Sequence, residues 1–112
     1  MRVILTHSAE KDLKAILRAT RRMFGDRQVT SYATILRQAF DLVAHDPFRP
    51  STRAREELAP GLRSIHLQAI AGRRGGASHV LFYAVVEDTH VEPAILVVRV
   101  LHEAMEPKGR VG

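Results

Sequence analysis

Apolar residues recur along the chain with two different spacings, and each spacing predicts its own kind of element. The opening stretch 2–6 is apolar and β-branched, which predicts a first strand. The interval then lengthens: Leu13, Ile16, Leu17, Thr20 and Phe24 recur at helical spacing. Thr6-His7-Ser8 offers cap residues before them, and Glu10 and Asp12 place acid in the first turn. Gly25 is positioned to stop this helix. A second helix is predicted to begin between 28 and 31, with Tyr32, Ile35, Leu36, Ala39, Phe40 and Val43 forming a core-facing stripe. His45-Asp46-Pro47 ends it, because the residue before a proline is pushed out of the α region.

Residues 48–60 form the longest irregular stretch, punctuated by prolines and carrying a short charged turn at 53–58. Three strand-like runs follow. Residues 62–70 alternate only in part, 80–86 are nearly all apolar, and 95–101 give the strongest strand signal in the chain. Between the first two, the composition of 71–78 reads as a flexible, solvated, positively charged hairpin tip carrying Arg73 and Arg74. Residues 87–93 join the last two runs. The expected fold class is therefore α+β: an N-terminal strand, a helical hairpin, then a three-stranded antiparallel meander, all in one twisted sheet. The first strand must pair with the meander, and the run 95–101, apolar on both faces, is the natural central strand. One face takes the helices and the other is expected to stay open as a concave surface.

Composition narrows the chemistry. The 112 residues, 46% of them hydrophobic, are expected to make one domain over 1–112 with a core that needs no staples. No cysteine is present, which removes thiolate metal sites, thiol nucleophiles and redox pairs. No metal-ligand cluster, phosphate loop or nucleophile–base pair is recognisable, so no cofactor is expected. No run approaches the roughly 18 apolar residues of a membrane span, and a cytoplasmic location is expected. Seventeen Lys+Arg against twelve Asp+Glu leave a net charge of +5. Arg18, Arg21 and Arg22 crowd the end of the first helix. Such a field speeds association with an acidic partner.

Four short patterns stand out. Ser8-Ala9-Glu10-Lys11-Asp12-Leu13 is a capped helix entry. In Glu57-Leu58-Ala59-Pro60-Gly61-Leu62-Arg63-Ser64 a Pro-Gly turn leads into a strand whose first turn carries Arg63, free to pair with Glu56 or Glu57. In His79-Val80-Leu81-Phe82-Tyr83 the two aromatics face opposite sides, and both are read as core. The fourth is Arg99-Val100-Leu101-His102-Glu103-Ala104-Met105-Glu106-Pro107. There Arg99 and Leu101 share one face while Val100 and His102 share the other. An arginine in so apolar a strand needs water or a paired acid for its head, so a structural ion pair is one reading of Arg99 and a functional group the other.

In this order and across most of the chain, the four patterns resemble the RelE/ParE toxin superfamily, most closely its ParE branch. The segment 67–78 departs from the family by being longer than a tight hairpin. The resemblance implies the toxin of a type II toxin–antitoxin pair, with the roles in growth arrest and plasmid stabilisation that go with it. ParE-like members poison DNA gyrase and are neutralised by a small ParD-like antitoxin whose C-terminal segment folds onto the toxin. That segment's apolar anchors would enter the groove between the helical hairpin and the sheet. The partner-binding residues so implied are Arg18, Arg21, Arg22, Tyr32, Leu36, Arg63, Arg99, His102 and Met105. Sequence-specific DNA binding is not expected, since it rests with the antitoxin. RelE-like relatives instead cleave mRNA on the ribosome, and that alternative would draw on Arg63 and Arg99 as cations, His102 as acid or base and Glu57 as base. Glu103, standing where ribonuclease members tend to carry an aromatic group, favours a toxin that binds over one that cuts. A non-toxic binding module with the same fold is the third alternative.

Overall fold

The structure, a computed structural model, describes residues 1–72, 76–88 and 91–111. Along the chain run β1 (Arg2–Leu5), α1 (His7–Phe24), α2 (Asp26–His45), β2 (Arg53–Ala54), β3 (Arg63–His66), α3 (Gln68–Ala71), β4 (His79–Asp88) and β5 (Val91–His102). The strands form one sheet in the order β1-β5-β4-β3-β2, with β1 parallel to β5 and the other neighbours antiparallel. This is the α+β arrangement expected from the residue pattern.

Local chemistry fixes the first corner. The Thr6 hydroxyl oxygen accepts the Ala9 N–H at 3.0 Å, capping α1, and its proton goes to the Val98 carbonyl 2.7 Å away. One side chain thus starts the helix and ties it to β5. Ala9 is fully buried, so α1 lies close against the sheet, and Leu13, Ile16 and Leu17 pack behind it. Gly25 ends α1 with φ +87 and ψ 177, a conformation open in practice only to glycine, and α2 begins at once. That shared corner is why α2 starts at Asp26, ahead of the expected 28–31. Leu36, Ala39 and Val43 of α2 complete the main core against Tyr83, Ile95 and Val97.

Several expectations are corrected. The sheet has five strands, because Arg53–Ala54, inside the stretch read as irregular, pairs with Ser64 and Arg63. β5 is interior as expected, but with β2 added β4 takes the middle place. The run 62–70 leaves the sheet at His66; Leu67 is buried and Gln68–Ala71 makes one helical turn against α2. Arg73, Arg74 and Gly75, at the centre of the expected hairpin tip, lie outside the described residues; after them Ala77 is buried and its N–H donates to Gln68 Oε1. Nor is the second sheet face open. Leu62, Phe82, Leu101 and Val111 form a second apolar cluster there, with Leu58 against it. Phe82 and Tyr83 are both buried, on opposite faces, as the alternation required.

Candidate functional site

Where β1 gives way to α1, the outer edge of β5 loses its strand neighbour, and Asp12 takes the vacant place. Its carboxylate accepts the Val100 N–H at 3.0 Å and grips Arg99 bidentately, at 2.7 Å to Nε and 2.8 Å to Nη2. The pairing of β4 with β5 shifts by one residue here, from Phe82↔Arg99 to Tyr83↔Val97. Such a bulge re-aims the side chain beside it, and Arg99 turns round the edge towards α1. Its bond to Asp12 holds the guanidinium pKa above its ordinary value. Of the two readings of Arg99, the geometry supports the structural ion pair.

Arg63 is equally occupied. Its Nε donates to the Pro47 carbonyl at 3.1 Å, its Nη2 to the Thr52 hydroxyl at 2.7 Å, and the guanidinium lies 5.1 Å from the centre of the Phe48 ring. It pairs in register with Tyr83, whose hydroxyl donates to the same carbonyl, so it stands on the helical face and anchors the loop after α2. Arg55 occupies the other face, over Phe82 and bonded to Ser64 and to Glu57. That bond pulls the Glu57 carboxyl below its ordinary range. Glu57 and Arg63 therefore sit on opposite faces, with Arg99 at the β5 edge. The set Arg63, Arg99, His102 and Glu57 is not brought together.

Three histidines gather at the far end of the sheet, and their tautomers follow from their partners. Ser78 N–H donates to the Tyr32 hydroxyl, and we assign the phenolic proton to His79 Nδ1, 2.6 Å away, so that the hydroxyl both accepts and donates. His66 Nδ1 accepts the Gln68 N–H, and its Nε2 donates to Glu103 at 2.6 Å. His102 Nδ1 accepts the Ala104 N–H at 3.0 Å. Each neutral ring therefore carries its proton on Nε2 and has its one lone pair occupied, so none offers a base to a substrate. Burial first, then the neighbouring His102 and His66, push the His79 pKa down to about 4. Burial likewise raises the Tyr32 phenol above its ordinary value. Among the described residues no cluster of His, Cys, Asp and Glu is placed to hold a metal ion, and no helix is long and apolar enough to cross a membrane.

Beside these rings runs a groove of about 590 Å³. Ile16, Ala19, Met23 and Phe24 of α1 form its apolar wall, and Tyr32, Ser78, His79 and His102 its polar end. Phe24, the last of the apolar positions read at helical spacing, is 66% exposed and Met23 is 69% exposed. Arg18, Arg21 and Arg22 are exposed on the same helix, Arg21 paired with Asp26. A smaller apolar groove of about 220 Å³ lies between the two helices, with the buried Leu36 at its base beside Leu13 and Phe40. Met105 is exposed and lines a shallow depression on the second face with Arg55, Glu103 and His102. Of the residues named from sequence, Tyr32 and His102 meet in one place; Leu36, Arg63 and Arg99 serve the framework. Sequence reasoning passed over Met23, His79, His66 and Arg55. For Met23 the signal was present, as an apolar residue in the last turn before the glycine stop. For the other three it lay in strand register.

The family model for the ParE toxin of the type II toxin–antitoxin system parDE matches residues 3–107. The chain belongs to the ParE toxin family. It is thus a toxin of a type II toxin–antitoxin system, in the branch its motifs resemble. Among solved structures, this ParE-family chain is similar to one from a chromosomal ParDE toxin–antitoxin system of P. aeruginosa. They share 16% identity with a TM-score of 0.66, over 91% of this chain and 95% of that one. At that identity the likeness is one of fold. A search of curated proteins found no match.

Proposed function

We propose that this ParE-family toxin acts in the cytoplasm by inhibiting DNA gyrase, and that a cognate ParD-like antitoxin neutralises it by folding a C-terminal segment into the groove beside α1. The observation that carries the antitoxin reading is the groove itself. Its wall holds two large apolar side chains, Met23 and Phe24, both more than half exposed, on a helix end rich in arginine. An acidic, amphipathic segment satisfies both features at once, burying apolar surface while its charges meet the basic rim. Membership of the ParE family supports gyrase as the target. A binding rather than cutting toxin is supported by the three imidazoles whose lone pairs are already taken.

Two experiments test this reading. Induced expression of the chain should arrest growth, with relief by the protein of the adjacent gene, and the purified toxin should block supercoiling by gyrase. Unimpeded growth at good expression would instead favour a non-toxic module, and cleavage of ribosome-bound mRNA would favour the nuclease. Second, Met23→Ser with Phe24→Ser should weaken antitoxin binding at least tenfold, since each removes exposed apolar area worth roughly 1 kcal/mol on burial. The melting temperature should stay within a few degrees. Unchanged binding would place the antitoxin elsewhere.

A further inference from the structure

We propose that the polar end of the α1 groove is a carboxylate-recognition point, where the Nε2–H groups of His79 and His102 receive one Asp or Glu side chain of the segment that fills the groove. This rests on the reading of the groove as the seat of an acidic, amphipathic partner and says which feature of that partner is read.

The donors are defined by what the other ring nitrogens do. Tyr32 holds Nδ1 of His79 and the Ala104 N–H holds Nδ1 of His102, so with that assignment both neutral rings carry their proton on Nε2. Among the described residues no buried side-chain nitrogen or oxygen lacks a partner. The structure gives neither Nε2 a protein partner; that of the half-buried His79 is therefore reached by solvent, and His102 is itself an exposed residue. The rings stand 5.4 Å apart, edge to face, opposite each other on β4 and β5, and both line the groove. Two N–H donors on neighbouring rings that line one groove suit the two oxygens of one carboxylate. They are also held in advance: Tyr32 and the backbone lock each ring, so little rotamer freedom is lost on binding.

The surrounding charges favour this ligand. Glu103, the acid next to His102, turns to the second face and gives its carboxylate to His66. Arg18, Arg21 and Arg22 lie exposed along α1, and the chain carries +5 overall. A lysine or arginine would find donors facing donors at this point, and an apolar residue would leave both N–H groups without partners. The expected occupant therefore places one acid immediately beside its apolar anchors.

The test uses the intact toxin and a synthetic peptide copying the C-terminal segment of the protein encoded beside it. Each Asp and Glu of the peptide is changed singly to Asn or Gln, and binding to the toxin and to its His102→Asn variant is measured by calorimetry. Asparagine keeps an acceptor for the Ala104 N–H while removing Nε2–H. One acid should stand out, its neutralisation weakening binding to the toxin about tenfold and to His102→Asn less than twofold. His79→Asn, which keeps the acceptor for Tyr32, should show the same loss of discrimination and serves if the first variant misfolds. A purely structural histidine would weaken every peptide equally. If no acid couples to either histidine while the parent peptide binds, the carboxylate point is wrong and the groove reading stands; if the parent peptide does not bind, the groove reading fails with it.

Discussion

Changing Asp12 to alanine removes one carboxylate and leaves two groups without their partner. The Val100 N–H at the β5 edge loses its acceptor, and Arg99 loses both bonds of its bidentate grip. An orphaned, partly buried backbone N–H costs about 1–3 kcal/mol. Breaking a fully buried ion pair costs about 3–5 kcal/mol, but the side chains here are 23% and 13% exposed, so Arg99 regains some water and the cost falls below that range. The two losses overlap, and a total of about 3 kcal/mol is expected. For a domain of this size that lowers the melting temperature by about 10 °C or more. Asp12→Asn keeps an acceptor for Val100 and should cost about half as much. Urea titration of the toxin, Asp12→Ala, Arg99→Met and the double variant should give a coupling energy of about 1–2 kcal/mol. Arg21→Ala provides the contrast: its pair with Asp26 is 67% and 87% exposed, and its loss should change stability by less than about 0.5 kcal/mol. If Asp12→Ala stays within 1 kcal/mol of the parent, or the coupling is zero, the carboxylate does not hold the β5 edge.

Two further outcomes follow from other parts of the fold. His79 has a pKa of about 4 in the folded chain against 6.5 ordinarily, so the unfolded chain takes up its proton first. Stability from this group is complete above pH 6.5 and is lost as pH falls towards 4. Discounted for the part of the ring that water reaches, the loss is roughly 1–2 kcal/mol. His79→Asn should be destabilised less than the parent between pH 7.5 and 4.5 in urea titrations, and parallel losses would refute the assignment. Gly25→Ala meets no atom within 4 Å but must adopt φ +87 with ψ 177, so calorimetry should find it about 1–3 kcal/mol less stable for conformational reasons alone. A neutral result would mean the helical corner can re-form elsewhere.

The elements that were legible from sequence are those whose burial repeats. α1 and α2 carry apolar positions at one period because one face of each meets the core, while β4 and β5 are apolar on both faces because a cluster covers each side of the sheet. β2 was not legible, since two residues carry no period and Arg53–Ala54 is a strand only because β3 lies beside it. α3 was hidden by the glycines that follow it, although Leu67 and Ile70 already pack inward. At the site, residue types were easier to read than faces. Arg63 and Arg55 are equally plausible cations in the sequence, and only the register of Arg63 with Tyr83 and of Ser64 with Phe82 puts them on opposite sides of the sheet. His79 became visible as part of a site only when its pairing with His102 and its contact with Tyr32 were known.

The parallel pairing of β1 with β5 also orders events during synthesis. Arg2 finds its partner in Ala94 and Leu5 in Val97, so the first strand made has no neighbour until almost the last one leaves the ribosome. At translation speeds of about 5–20 residues per second, that interval lasts roughly 5 to 20 seconds. The α1–α2 hairpin needs only local contacts and forms within a small fraction of that time. The nascent toxin thus presents its helices, with Met23 and Phe24 exposed, well before its sheet can close.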